Sequence, residues 1–323
     1  MNKKSVFNVL RVVISVGLLA LLIWLMRNSF GEVMLALRKS NKLLIFLSFL
    51  LFLVGMILLS IRLRLIIKAQ DLIVTQSEAT SLIFVGQFFN NFLPTSVGGD
   101  IVKIYYIAKK TGKKLSSFAA VFFDRLLGTF TLVITVLLTY IFVKEAAANK
   151  SIMTFMVIAV SVAIPVCLIL FSRRIAKKIP FLGRLLRLFK LEDKMKEIYE
   201  IIYTYKKHPR LLVNAILISF ALQVVTFYAV YFMARGLNCY VPLKMIFLFM
   251  PIISTVSMAP SINGLGVREG SFVLLFGPLM GKEAAFALSI LWLAINFCAS
   301  LIGGVLYLFG KQFRFKGGVA IND

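Results

Sequence analysis

GQFFNNFLPTSVGGDIVKIYYIAKKTGKK, Gly86 to Lys114, is the stretch on which the reading of the fold turns. An apolar approach meets Pro94 and then Gly98 and Gly99, and the chain leaves through Asp100 and a basic segment. The apolar part, Leu82 to Leu93, is about two-thirds of the ~20 residues that a helix needs to cross a bilayer core. A short approach, a break and a charged exit predict a hairpin that dips into a bilayer and turns back. A related stretch, MAPSINGLGVREGSFVLLFGPLMGKE, Met258 to Glu283, recurs in the second half.

The surroundings of the two stretches are strongly apolar. Hydrophobic residues make up 60% of 323, and mean hydropathy is +0.93. Runs of bilayer-crossing length recur, so the chain reads as an all-α polytopic membrane protein. Lys and Arg outnumber Asp and Glu 37 to 13. In so apolar a chain this excess belongs to loops and anionic headgroups, and no nucleic-acid partner is expected. Cys167, Cys239 and Cys298 are scattered, and the lone His208 lies in a basic loop. Neither a metal site nor a cofactor is expected from that set.

Taken in order, the N-terminal apolar stretch lacks a small-residue cleavage site and reads as a retained helix with Trp24 near its end. Further spans are expected at Leu43 to Ile67, Leu115 to Val143, Ser151 to Phe171, Leu211 to Met233 and Glu283 to Phe309, with Arg62 and Arg64 at the exit of the first of these. Broken hairpins occupy Ala79 to Ala108 and Leu243 to Leu279. The loop 172–210 carries 12 Lys/Arg against 4 Asp/Glu. Its middle has helical apolar spacing, which predicts an amphipathic helix against anionic lipid headgroups.

Each half therefore contains two spans, a broken hairpin and one further span, with residues 1–143 as the first repeat and 151–310 as the second within one transmembrane domain, 1–323. Gly112-Lys113 matches Gly281-Lys282, and twelve residues before each Gly-Lys stands an acid, Asp100 or Glu269. If both hairpins turn back and the N-terminus is inside, the inner segments sum to +18 and the outer ones to +6. That charge bias places both termini in the cytoplasm of a cell-membrane protein. Three crossings per half make the repeats inverted, the first turn entering from the cytoplasm and the second from outside.

The runs FFNNFLPTSVGGDIVKIYYIAKK, FFDRLLG at Phe122 to Gly128 and SINGLGVREGSF at Ser261 to Phe272 resemble the flippase-like transmembrane domain of lysylphosphatidylglycerol synthases, the multiple peptide resistance factor family. The likeness covers nearly the whole chain. It implies movement of an aminoacylated phospholipid between leaflets in members joined to a synthase. The sequence ends at Asp323, and its longest loop is too short for the soluble aminoacyltransferase domain, so aminoacyl transfer is not expected here.

The candidate binding residues cluster at the two turns. Pro94, Thr95, Ser96, Gly98, Gly99 and Asp100 form the first, where glycine lets backbone amides approach an anion at a helix start. A plain helix cap at Asp100 explains the same residue. Asn90 and Asn91, with Gln87, add hydrogen-bonding groups, as do Asn263 and Ser261 at the second turn beside Gly264 and Gly266. Asp124 and Arg125 lie inside an apolar helix, where charges default to function. Adjacent residues point about 100° apart, so each needs another partner, and Asp100 or a lipid phosphate suits Arg125. Arg268 and Glu269 are the second-half counterpart, which a surface position would equally explain.

These residues predict a lipid flippase or scramblase whose substrate is a phospholipid or lipid-linked headgroup. The alternatives are an integral-membrane transferase acting on a lipid-linked substrate and a non-catalytic partner of a lipid- or glycan-modifying enzyme. A homo-oligomer is compatible with any of the three.

Overall fold

A computed structural model describes residues 30–92, 98–143, 203–205, 207–258 and 264–310. The expected N-terminal span, the span Ser151 to Phe171 and nearly all of the basic loop 172–210 lie outside the described residues. Among the described residues the principal elements are α-helices: α1 (Phe30–Lys39), α2 (Lys42–Lys68), α3 (Gln76–Phe92), α4 (Gly98–Thr111), α5 (Lys114–Phe142), α6 (Pro209–Gly236), α7 (Leu243–Val256), α8 (Val267–Met280) and α9 (Lys282–Phe309). Four of them, α2, α5, α6 and α9, are long and apolar enough to cross a membrane. The chain is a multi-pass membrane protein.

The long helices carry apolar residues on every side, because one side meets protein and the other meets lipid. On α2, Leu43, Phe46, Leu50 and Ile57 face outward while Phe52, Met56 and Leu63 are buried. The protein core is correspondingly rich in small and hydroxylated residues, among them Ser48, Ser60, Thr131, Thr135 and Ser219. Without a hydrophobic drive between helices in lipid, close packing and interhelical hydrogen bonds hold such a bundle together. Gln223 of α6 illustrates this: its amide Nε2 donates to Thr131 Oγ1 of α5 at 3.0 Å, and its Oε1 accepts from Thr135 Oγ1 at 2.5 Å.

α2 and α6 pack most extensively, and they run antiparallel: the Asn41 amide at the head of α2 donates to the Gly236 carbonyl at the foot of α6, 2.7 Å away. α3 and α4 form a hairpin whose arms meet backbone to backbone. A Cβ on Gly99 would lie 2.1 Å from the Gly86 carbonyl oxygen, so only glycine fits there. α7 and α8 pack together as a second pair. Each pair is clasped by a long helix of the other half: α9 lies on α3, and α5 lies on α7. At the first clasp a Cβ on Gly303 would sit 2.0 Å from the Phe84 carbonyl oxygen.

Two local features depart from the expectations. The segment 27–42, read as a connector, holds the helix α1, which seats Val33 in the core and packs on α9. α3 starts at Gln76, three residues before the expected Ala79, because Thr75 and Glu78 build a reciprocal cap. The Thr75 amide donates to Glu78 Oε2 at 2.8 Å, and the Glu78 amide donates back to Thr75 Oγ1 at 3.3 Å.

Glu78 also accepts from Lys110 Nζ at the end of α4, at 2.6 Å from Oε1, and thereby ties the two arms of the hairpin at its base. Burial alone would raise the Glu78 pKa, but Lys110 and the two Thr75 bonds outweigh it, and the carboxyl sits below its ordinary value. A lowered folded pKa gives stability that is complete at neutral pH and is lost as pH falls through the folded value. The difference in melting temperature between parent and Glu78→Gln in detergent should therefore be constant near neutrality, start to shrink near about pH 4.3 and vanish in stronger acid. Gly303→Ala should lower stability by about 1–3 kcal/mol through overpacking, read as a lower melting temperature with the helical signal retained.

Candidate functional site

The charges named from the sequence are gathered into three ion-pair systems, two of them buried and one part-buried. In the first, Arg62 of α2 grips Asp124 of α5 bidentately, Nε to Oδ1 at 2.8 Å and Nη2 to Oδ2 at 3.0 Å. Its remaining nitrogen Nη1 donates to Ser219 Oγ of α6 at 3.1 Å. Both ionic side chains are almost fully buried, at 6% and 5% exposure. The planar guanidinium lies over Gly128, where a Cβ would come within 3.1 Å of Nη1. Asp124 stands ten residues beyond the start of α5, about 15 Å along the axis of a helix long and apolar enough to cross a membrane.

In the second system Asp100, in the first turn of α4, accepts from Arg125 Nη1 at Oδ2 and pairs with Lys103 Nζ at Oδ1, 2.6 Å away. The expected reach from Arg125 to Asp100 is present. Because Asp124 is locked to Arg62, the rotation of α5 is fixed, and Arg125 one residue later is turned about 100° away toward the hairpins. Arg125 remains about one-third exposed. In the third system Arg268 of α8 pairs with its neighbour Glu269, Nη2 to Oε1 at 2.7 Å, while Glu269 Oε2 accepts the Gly266 amide at 2.7 Å. These two charges are not on a surface: Arg268 is buried and Glu269 is fully so. Gly266 precedes α8 with φ +81°, a conformation that favours glycine and aims its amide at the carboxylate.

Two of these guanidiniums meet at one cavity. A space of about 250 Å³ between the two hairpins is lined by Arg125 and Arg268 together with Asn90, Ser254, Ser257 and Trp292. Met250, Ile253 and Met258 complete the described wall. Asp100 and Glu269, the carboxylates paired with these arginines, are not among the described lining residues, so the two ion pairs turn guanidinium toward the cavity, beside neutral hydrogen-bonding groups. Such a lining suits a phosphate or carboxylate, which guanidinium binds in a planar fork. Among the described residues no three His, Cys, Asp or Glu side chains gather as metal ligands.

The remaining predicted residues are distributed around this core. Asn90 Oδ1 accepts the Gly99 amide at 2.7 Å, so that amide is engaged inside the hairpin, and Gly98 is buried at the start of α4. Asn91 follows on α3, half-buried. Gln87 donates to Asn296 of α9 at 3.1 Å and serves helix association. Gly264, with φ +78°, is buried in the approach to α8. Pro94, Thr95, Ser96, Ser261 and Asn263 lie outside the described residues.

Arg62 and Trp292 were missed by sequence reasoning. Arg62 does not sit at the exit of its helix, which continues six residues further to Lys68. The signal for it was Asp124 itself, an intramembrane carboxylate that required a cation from another span. Trp292 carries no pattern in the sequence, and it reaches the cavity because it packs edge-on to Phe52, centroids 5.5 Å apart.

Removing either partner of a buried pair leaves an uncompensated charge, whereas removing both does not. Arg62→Leu and Asp124→Leu should each lower stability by about 3–5 kcal/mol, with the double variant nearer the parent than either single one. Thermal unfolding of the four proteins in detergent measures this cycle.

Neither the curated proteins nor the solved structures contain a match to this sequence. A family model does match it, over residues 8–304, and the match spans both hairpins, the ion pairs and the long helices up to the last five residues of α9. The chain belongs to the family described as the lysylphosphatidylglycerol synthase TM region.

Proposed function

We propose that this protein moves a phospholipid or lipid-linked headgroup between the leaflets of the cell membrane, through the cavity between its two hairpins. The observation that carries the reading is the meeting of Arg125 from the first half and Arg268 from the second at one cavity within the bundle. A charge at that depth is costly unless it is paired or used, and two arginines on one space offer an anionic headgroup a replacement for its water. Membership of a family tied to lysylphosphatidylglycerol synthesis supports lipid as the cargo.

The same reading takes the two halves as inverted repeats and the hairpins as re-entrant. Exchanging α2–α5 with α6–α9 returns the same set of packing partners: α3 with α9 becomes α7 with α5, α4 with α5 becomes α8 with α9, and α2 with α6 maps onto itself. α3 and α4, at 17 and 14 residues, are shorter than the ~20 residues of a bilayer span. Lys68, Lys110, Lys114 and Arg210 sit at the helix ends on one side of the bundle, which by the charge rule is cytoplasmic. Broken helices meeting from opposite faces are how many transporters build a midplane site.

Purified protein in liposomes carrying headgroup-labelled lipids tests the proposal by leaflet exchange. The parent should accelerate exchange, and Arg125→Ala and Arg268→Ala should each slow it by about tenfold, the value of one charge-assisted hydrogen bond. Absence of exchange across a broad lipid panel, with and without an imposed ion gradient, refutes transport. Parent-like exchange in both variants refutes the site.

A further inference from the structure

A second cavity, of about 340 Å³, lies at the base of the first hairpin and shares no described lining residue with the space between the hairpins. Its walls are Val74, Leu82, Ile107 and Tyr106, and its rim is Glu78, Lys109 and Lys110. The volume is within the ~300–1,000 Å³ range of small-molecule sites. We infer that this wedge is a docking site for one anionic membrane phospholipid, with an acyl chain between α3 and α4 and its headgroup on Lys109 and Lys110.

Three observations select that occupant. Val74, Leu82 and Ile107 are apolar, and two of the charged lining groups, Glu78 and Lys110, are bonded to each other, a mixed lining that suits an amphiphile. The described lining also carries two lysines, Lys109 and Lys110, against one carboxylate, Glu78, and Lys113 and Lys114 follow in sequence at the turn into α5. An anionic headgroup is attracted by lysines at such a surface. Finally, the outer approaches are greasy, with Ile73 82% exposed beside Val74, and Ile101 and Tyr105 exposed on α4. A chain leaving the wedge would continue along apolar surface instead of entering water.

Glu78 then has a second role. It holds Lys110 while capping α3, so a lipid phosphate competes with it for the same ammonium. Occupancy of the wedge and the tie across the hairpin base are thereby linked. The inference requires only that the chain lies in a membrane, and it stands whether or not the protein moves lipid.

The test uses Tyr106→Trp as a reporter in a Trp24→Phe, Trp292→Phe background, which removes the two native tryptophans. The protein is reconstituted in phosphatidylcholine vesicles containing either dibrominated phosphatidylglycerol or dibrominated phosphatidylcholine, and bromine quenching gives their relative binding. The anionic lipid should be preferred severalfold. Lys110→Gln should reduce that preference by about fivefold, and Glu78→Gln should increase it. A general loosening of the hairpin would move both variants in the same direction, and that result overturns the inference. Equal quenching by the two lipids identifies ordinary boundary lipid and overturns it as well. Quenching by neither lipid means that the wedge is closed to acyl chains, which also overturns it.

Discussion

The bidentate bond between Arg62 and Asp124 is the constraint on which the rest of the arrangement depends. It joins α2 to α5, its third nitrogen reaches α6 through Ser219, and both ionic side chains are almost fully buried between helices long and apolar enough to cross a membrane. A pair of opposite charges in such surroundings has few alternative partners. That fixes the rotation of α5 about its own axis, and with it the direction of Arg125 toward the hairpins. The ion pair also imposes a packing condition, since a Cβ at Gly128 would come to 3.1 Å from Nη1 and press on the guanidinium. Charge, rotation and a small residue at this contact therefore act together.

The long apolar spans were legible in the sequence because each follows from a length, about 20 apolar residues for a crossing, and the short helix pairs were legible from their Pro and Gly breaks. The positions of α2, α5, α6 and α9 agree with the expected spans to within a few residues. α1 was not legible, since FGEVMLALRK owes its burial to α9, which arrives some 250 residues later. Gly303 owes its role to Phe84, a contact that no local pattern names.

At the site, Arg125 with Asp100 could be read from helical geometry, because neighbouring residues cannot both serve one direction. Arg268 and Glu269 were harder, because a charged pair beside a glycine-rich turn looks the same in sequence whether it is exposed or buried. What separates the two cases is Gly266, whose amide accompanies Glu269 out of solvent. The Gly99 amide shows the converse. A glycine placed for close approach was expected to meet a ligand, and it meets the Gly86 backbone and Asn90 instead.

The clasp of α9 on α3 has a consequence for how the chain is made. Phe84 leaves the ribosome roughly 220 residues before Gly303, an interval of about 10–45 s at ordinary rates of synthesis. Throughout it, the first hairpin lacks the helix that packs on its α3 arm. The tie between Glu78 and Lys110 and the glycine contact within the hairpin are both complete by Lys110. They give the nascent hairpin a way to hold its shape while it waits for its last neighbour.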